Sequence, residues 1–208
     1  MPAYAAPVLA ERVAALVEGV AARGYAVVPQ FLPPDAVAPL REHAEAAFAQ
    51  ARMRPAGIGR ADGRMHDAAV RGDATLWLDD DTADPPERRF LATLESVRLA
   101  ANAALFLGLF DFEGHYARYP EGASYARHRD RFRDQDRRTL TLVLYLNDAW
   151  PAAAGGALRL YRDECAPLDV RPEGGTAVAF LADRFEHEVL PASMPRWSFT
   201  GWFRRRAR

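Results

Sequence analysis

The sequence predicts an α+β fold, with helices packed on one side of an antiparallel sheet or barrel. Two observations lead to this prediction. Apolar residues recur at helical spacing through most of the first 107 residues, whereas from residue 112 onward short strand-like runs are separated by Gly and Pro turns. Helices that precede a block of strands are typical of α+β folds, in which the helices cover one side of the sheet.

Length and composition favour a single domain. The chain has 208 residues, enough to bury a core without disulfides or structural metals. It contains no internal repeat and no linker-like segment. We therefore expect one domain over residues 1–208, with a helical part over residues 1–110 and a strand-rich core over about 111–203.

Charge, hydropathy and cysteine content exclude several classes of protein. The formal net charge is −1, so the chain lacks the overall positive charge typical of nucleic-acid-binding proteins. No apolar run reaches the length of a membrane span, and the N-terminal stretch lacks the basic residues of a secretory signal. The one cysteine, Cys165, excludes an intramolecular disulfide and fits a reducing compartment. We expect a cytoplasmic protein with no nucleic-acid or membrane partner.

The N-terminal part predicts two helices around one strand. Residues 8–22 carry apolar side chains at helical spacing, and Gly24 is a typical C-cap. Residues 25–31 predict a short strand. A second amphipathic helix is expected from Pro34 to about residue 53.

A polar segment separates these elements from a third helix. Residues 56–73 are glycine-rich and too irregular for a core element, so a surface loop is expected there. A brief strand over 75–78, a loop over 79–86 and a long helix from Glu87 to about Leu107 follow.

The run from Thr139 to Asn147 predicts a strand that separates two layers, because its residues alternate between two faces. Four leucines share the face that should lie against the helices: Leu140, Leu142, Leu144 and Leu146. The other face is more polar and contains Tyr145. We expect that face to line a cavity.

His128-Arg129-Asp130 lies in a run that otherwise predicts a strand. Residues i and i+2 of a strand point to the same face, so the imidazole and the carboxylate would project together and bind one metal ion. His187, in a later strand-like run, is the expected third ligand. Two histidines and one carboxylate form the facial triad of non-haem Fe(II) oxygenases, which leaves positions open for substrate and O2. A structural polar cluster is the alternative.

Arg196 follows His187 by nine residues, across a turn marked by Pro191 and Pro195. A buried arginine needs an acidic partner, and it can hold a carboxylate with two parallel hydrogen bonds. Tyr145, on the predicted cavity face, could donate a further hydrogen bond to the same carboxylate. This layout is expected if a 2-oxo dicarboxylic acid binds the metal at one end and the arginine at the other.

These residues are part of a longer pattern that resembles the Fe(II)/2-oxoglutarate-dependent dioxygenases. Within them it is similar to the prolyl hydroxylase branch, which includes the oxygen-sensing enzymes of animals. The resemblance covers roughly residues 57–203. The matching residues are Arg71-Gly72-Asp73, Trp77-Leu78, Tyr119-Pro120, Tyr125, His128-x-Asp130, Arg138-Thr139, Tyr145-Leu146-Asn147, Gly155-Gly156-x-Leu158-Arg159, Glu173-Gly174-Gly175, Phe180, His187-Glu188-Val189-x-Pro191, Arg196 and Thr200-x-Trp202-Phe203.

The resemblance implies a double-stranded β-helix (jelly-roll) core with supporting N-terminal helices. It implies Fe(II) and 2-oxoglutarate as cofactors, with L-ascorbate keeping the iron reduced. The implied iron ligands, which are also the catalytic group, are His128, Asp130 and His187. The implied cosubstrate residues are Arg196 and Tyr145 at the distal carboxylate, with Tyr119 and Thr200 beside the cosubstrate.

The expected function is hydroxylation of a prolyl residue in a protein, with succinate and CO2 as coproducts. The expected partners are O2 and a protein substrate bearing the target proline, with the translation apparatus as one candidate source. Two alternatives stay open: hydroxylation of a free amino acid or other small molecule, and a metal-binding jelly-roll without turnover. Asp130 argues against a halogenase, which lacks that carboxylate. The loop over residues 56–73 is expected to fold over an extended polypeptide.

Several other polar and aromatic residues are expected to have structural roles and not catalytic ones. Arg71 and Asp73 are expected to form an ion pair that braces the loop, and His115 is expected at the edge of a strand. The tryptophans expected in the core are Trp77, Trp197 and Trp202.

Overall fold

The structure is a computed structural model that describes residues 6–57, 67, 70–79, 81–130, 137–163 and 165–206. Within these residues the α-helices are α1 (Ala6–Arg23), α2 (Pro34–Ala49) and α3 (Pro85–Leu105). None of them is long and apolar enough to cross a membrane. Most of the predicted substrate loop, residues 58–66 and 68–69, lies outside the described residues.

The helix ends follow local sequence signals. α1 ends at Arg23, and the φ of 81° at the following Gly24 confirms the predicted C-cap. α2 ends at Ala49 rather than at residue 53, because Ala51 adopts a left-handed φ of 53° that a helix cannot continue. α3 begins behind Asp84, whose side chain accepts a hydrogen bond from a backbone N–H of the first turn.

The strands of the described residues form two antiparallel sheets. In chain order they are β1 (Tyr25–Val28), β2 (Arg54–Pro55), β3 (Ala74–Trp77), β4 (Leu109–Tyr119), β5 (Tyr125–His128), β6 (Arg138–Tyr145), β7 (Leu158–Leu160), β8 (Leu168–Val170), β9 (Ala177–Leu181), β10 (His187–Val189) and β11 (Arg196–Arg205). The larger sheet has the order β1-β9-β6-β11-β4-β3-β2, and the smaller has the order β5-β10-β7-β8.

The two faces of the larger sheet pack against different layers. The four leucines of the β6 region lie in one core cluster with apolar residues of α1, α2 and α3, as predicted. Val143 and Tyr145, on the opposite face, pack with Leu158 and Leu160 of the smaller sheet. Two sheets packed face to face form the jelly-roll core, and the helices cover the outer face of the larger sheet. The predicted α+β class and the two faces of β6 are therefore confirmed.

Candidate active site

Two histidines and one aspartate meet at one end of the smaller sheet. His128, the last residue of β5, lies directly opposite His187, the first residue of β10. Asp130 has Oδ1 3.6 Å from Nε2 of His128 and Oδ2 3.6 Å from Nε2 of His187. One ligand atom from each residue lies within 4.8 Å of the others, close enough to share one metal ion. The structure thus brings together the three residues that the sequence predicted as iron ligands.

Neighbouring groups orient these side chains. β5 ends at His128, so Asp130 lies in a bend and not, as predicted, in the strand; its carboxylate is held instead by Thr141, whose Oγ1 donates to Oδ2 at 2.8 Å. Nδ1 of His128 lies 2.8 Å from the carbonyl oxygen of Ala126. Because a carbonyl only accepts, Nδ1 carries the proton and Nε2 keeps the lone pair that a metal requires.

The protonation states of the buried pair also suit a metal. Burial lowers the pKa of His187 to about 4, although the charge of Asp130 opposes this, so the ring is neutral at neutral pH. Burial by itself would raise the pKa of Asp130, but His187 and His128 outweigh it and hold that pKa well below its ordinary value. A neutral imidazole and an ionised carboxylate are the forms that coordinate cations.

Contacts also join the end of the predicted loop to His128. Tyr125 stacks on His128, with ring centroids 3.7 Å apart and 18° between the ring planes. The guanidinium carbon of Arg71 lies 4.7 Å from the Tyr125 ring centroid. Arg71 donates to both carboxylate oxygens of Asp73, at 2.7 and 3.0 Å, which confirms the predicted ion pair. Tyr125 is therefore held between this ion pair and the candidate metal ligand.

Arg196 is a buried cation without an acidic partner in the part of the chain that the structure describes. It is 2% exposed. Its Nε donates to the carbonyl oxygen of Gly156 at 3.1 Å, and its Nη1 donates to Oγ of Ser198 at 3.3 Å. The guanidinium carbon lies 5.1 Å from the ring centroids of both Tyr119 and Tyr145. An incoming carboxylate would strongly stabilise a buried guanidinium that lacks an acidic partner.

The predicted cosubstrate residues lie around this cation on one face of the larger sheet. Tyr119 of β4 is directly opposite Arg196 of β11, and Tyr145 of β6 is directly opposite Ser198. The Tyr145 hydroxyl is buried and has no hydrogen-bond partner among the described residues. Burial raises the pKa of Tyr145 to about 12, so it stays a donor at neutral pH. Thr200 lies further along β11, opposite His115 and Val143.

Sequence reasoning missed two residues of this face. His115 is not at a strand edge, as expected, but is 2% exposed in the middle of β4. Trp77 is not a core residue, as expected, but is 48% exposed and lies directly opposite His115. Trp197 and Trp202 are buried, as predicted. The spacing of His115 from Tyr119 along β4 was the available signal, because residues four apart in a strand share a face.

A second His–acid group has a structural role. His43 of α2 lies 3.4 Å from a carboxylate oxygen of Glu87 and 3.8 Å from one of Asp84, both at the start of α3. Glu87 also accepts a hydrogen bond from the buried hydroxyl of Tyr116 at 2.9 Å. The positive end of the α3 dipole disfavours a cation here and favours the carboxylates themselves. This group connects α2, α3 and β4.

Known sequences resemble the chain over the part that carries this site. Residues 114–204 match the family model of the 2OG-Fe(II) oxygenase superfamily. The chain is 37% identical over 89 residues to the hypoxia-inducible factor prolyl hydroxylase of Caenorhabditis elegans, covering 41% of this chain and 12% of that protein. The chain spans between 12% and 59% of the lengths of the curated relatives with which it was aligned.

Solved structures extend the similarity to almost the whole chain. A prolyl-4-hydroxylase from Pseudomonas putida is 42% identical, with a TM-score of 0.85, and the match covers 94% of this chain and 100% of that one. A prolyl hydroxylase from Trichoplax adhaerens, solved with a hypoxia-inducible factor peptide, has the same fold, with a TM-score of 0.85 at 21% identity over 98% of this chain and 94% of that one. The chain belongs to the 2-oxoglutarate–Fe(II) oxygenase superfamily, in its prolyl hydroxylase branch.

Proposed function

We propose that the protein is an Fe(II)/2-oxoglutarate-dependent dioxygenase that hydroxylates a prolyl residue of a protein substrate, with succinate and CO2 as coproducts. The observation that carries this proposal is the buried Arg196, which has no acidic partner among the described residues, together with the His128–Asp130–His187 group, in which Asp130 and His187 are buried and His128 is partly buried. An oxygenase that uses 2-oxoglutarate to activate O2 requires both a metal site and a cation for the distal carboxylate.

The residues present fit the two cofactors. His128, His187 and Asp130 provide two imidazole nitrogens and one carboxylate, the donor set of non-haem Fe(II) oxygenases. Among the described residues the Tyr145 hydroxyl has no hydrogen-bond partner and Arg196 has no acidic partner, so the two side chains fit one end of a dicarboxylate. When bound, iron and 2-oxoglutarate together supply the activation of O2 and the insertion of one oxygen atom into a C–H bond.

The residues of the chain orient the metal ligands and the guanidinium of Arg196, and they exclude water from the site. Thr141 and the Ala126 carbonyl hold two of the metal ligands in place, as described above. The Gly156 carbonyl and Ser198 aim the guanidinium of Arg196. The apolar cluster between the two sheets keeps water away from these charges and so strengthens their interactions.

The substrate assignment is supported by the relatives. The Pseudomonas putida structure is that of a prolyl-4-hydroxylase, and the Trichoplax adhaerens enzyme was solved with a peptide. By extension we propose a protein substrate here, with the translation apparatus as one candidate source. We also propose that O2 is the oxidant, that L-ascorbate keeps the iron reduced, and that the protein acts in the cytoplasm without a nucleic-acid or membrane partner.

The proposed function is tested by following both products. The purified protein is incubated with Fe(II), ascorbate and 2-oxoglutarate, with and without a cell lysate depleted of small molecules. We expect the lysate to stimulate succinate formation and one protein to gain roughly 16 Da, one oxygen atom, on a proline. His187→Ala serves as the inactive control.

The two alternatives give different results in the same assay. A small-molecule hydroxylase would respond to the removed low-molecular-weight fraction and leave every protein unmodified. A non-catalytic metal-binding jelly-roll would form no succinate under either condition.

A further inference from the structure

His115 is a buried polar side chain on the active-site face of the larger sheet. It lies opposite Trp77 of β3 and Thr200 of β11. Along β11, Thr200 lies between Arg196, in the cosubstrate region, and Trp202, which is close enough to Asp130 to lower its pKa. His115 is therefore level with the centre of the candidate active site.

The surroundings of His115 fix its charge and its tautomer. Burial lowers its pKa to about 3, and the positive charge of Arg71 acts in the same direction, so the ring is neutral at neutral pH. Nη2 of Arg71 lies 3.5 Å from Nε2 of His115. Because a guanidinium only donates, Nε2 accepts and Nδ1 carries the ring proton.

The Nδ1–H group has no acceptor among the described residues. A buried donor without a partner destabilises a protein by on the order of 1–3 kcal/mol. A ligand oxygen that accepts this hydrogen bond removes that penalty when it binds. Conversely, an apolar side chain of similar size at this position should leave the free protein at least as stable.

Two indole rings flank the imidazole. The ring centroids of Trp77 and Trp202 lie 4.9 and 5.5 Å from that of His115. Trp77 is half-exposed, so its indole is the part of this group that faces solvent. A ligand bound beside these rings would contact aromatic surface and one N–H donor, next to the candidate metal ligands.

A peptide-bound proline matches this combination. Its ring is apolar and its nitrogen carries no hydrogen, so its polar atoms are the carbonyl oxygens of proline and of the preceding residue, which only accept. We propose that Nδ1–H of His115 donates a hydrogen bond to a backbone carbonyl oxygen beside the target proline, with the proline held against Trp77 and Trp202. The inference rests on the proposed function, because it takes the substrate to be a polypeptide.

Variants of His115 separate this binding role from a structural one. His115→Leu removes the donor, and His115→Asn keeps an amide N–H near the position of Nδ1. For a proline-centred peptide from the protein modified in the lysate, we expect His115→Leu to raise KM about tenfold, which corresponds to about 1.4 kcal/mol. The KM for 2-oxoglutarate and the thermal midpoint should not worsen, and His115→Asn should recover much of the peptide affinity.

A matched control has the opposite pattern. His43→Leu removes a histidine that contacts Glu87 and Asp84 outside the site, so it should lower the thermal midpoint and leave the peptide KM unchanged. An unchanged peptide KM in His115→Leu, an equal defect in His115→Asn, or a lowered thermal midpoint in His115→Leu each overturns the assignment.

A direct probe tests His115 even if the protein substrate is wrong. N-acetylglycyl-L-proline methylamide, the smallest molecule with both carbonyl groups and the ring, is added to zinc-substituted protein that holds 2-oxoglutarate. The Nδ1 proton of His115 should move downfield in the NMR spectrum. No shift at saturating probe overturns the His115 proposal, whereas a shift without any modified protein in the lysate contradicts only the proposed protein substrate.

Discussion

Arg196→Met should separate cosubstrate binding from folding. The arginine is 2% exposed, and its described contacts are two neutral oxygens and two tyrosine rings. Methionine keeps most of the aliphatic volume but removes a buried charge that lacks an acidic partner in the described part of the chain. Replacing such a charge with an apolar group is often neutral or stabilising. The variant without ligand should therefore unfold at or above the wild-type temperature.

The stabilisation of the folded protein by bound 2-oxoglutarate follows from mass action. A ligand at one hundred times its Kd stabilises the folded state by about 2.7 kcal/mol. In a domain of this size, 1 kcal/mol shifts the thermal midpoint by roughly 2–4 °C. Wild-type protein with metal should thus gain about 5–11 °C from saturating 2-oxoglutarate. The thermal midpoint of Arg196→Met should rise by almost nothing at the same concentration of 2-oxoglutarate.

The assay is anaerobic thermal unfolding with Fe(II), with and without 2-oxoglutarate. Arg159→Met is the matched control, because Arg159 is a surface arginine paired with Asp169 and should not affect the cosubstrate shift. A wild-type-sized shift in Arg196→Met would refute the role of Arg196. So would equal stabilisation of the wild type by pyruvate, which lacks the distal carboxylate.

The remaining predictions concern the metal and the buried histidines. His128→Ala and His187→Ala should each abolish iron-dependent 2-oxoglutarate turnover while the circular dichroism spectrum is retained; turnover in either variant would contradict the triad. Tyr125→Leu should weaken iron binding about tenfold by releasing His128, measured by competition with a chelator. The pKa of His115 is about 3 in the folded protein against an ordinary value of 6.5, so the unfolded state binds a proton that the folded state does not, and stability falls as pH falls from 6.5 towards 3. Urea unfolding at pH 7 and pH 5 measures the loss of unfolding free energy on acidification. This loss should be about 2 kcal/mol smaller in His115→Leu than in the wild type. Equal losses would contradict the lowered pKa of His115.

Most of the site was predictable because it depends on local patterns. The alternation of leucines from Leu140 to Leu146 identified the two faces of β6 and so placed Tyr145 between the sheets. His128 and His187 were predictable as partners because each lies in a short strand of the recognised pattern.

The remainder depends on pairings between distant segments. The bend at Asp130 is stabilised by Thr141, which belongs to a different strand and sheet. His115 is buried because β3 brings Trp77 directly opposite it. The sequence of β4 has polar and aromatic residues on both faces, so it does not specify which strand will pair with it. Sequence periodicity specifies the face of a residue but not the side chain that covers it.

Under the proposed function, this protein transfers one atom of O2 to a proline of another protein. The most direct measurement is the reaction under 18O2, with mass spectrometry of the modified protein and of succinate. We predict one 18O atom on a single proline and one in succinate, both dependent on 2-oxoglutarate and absent in His187→Ala. Labelled succinate with no labelled protein, or a proline hydroxyl that derives its oxygen from water, would contradict the proposed function.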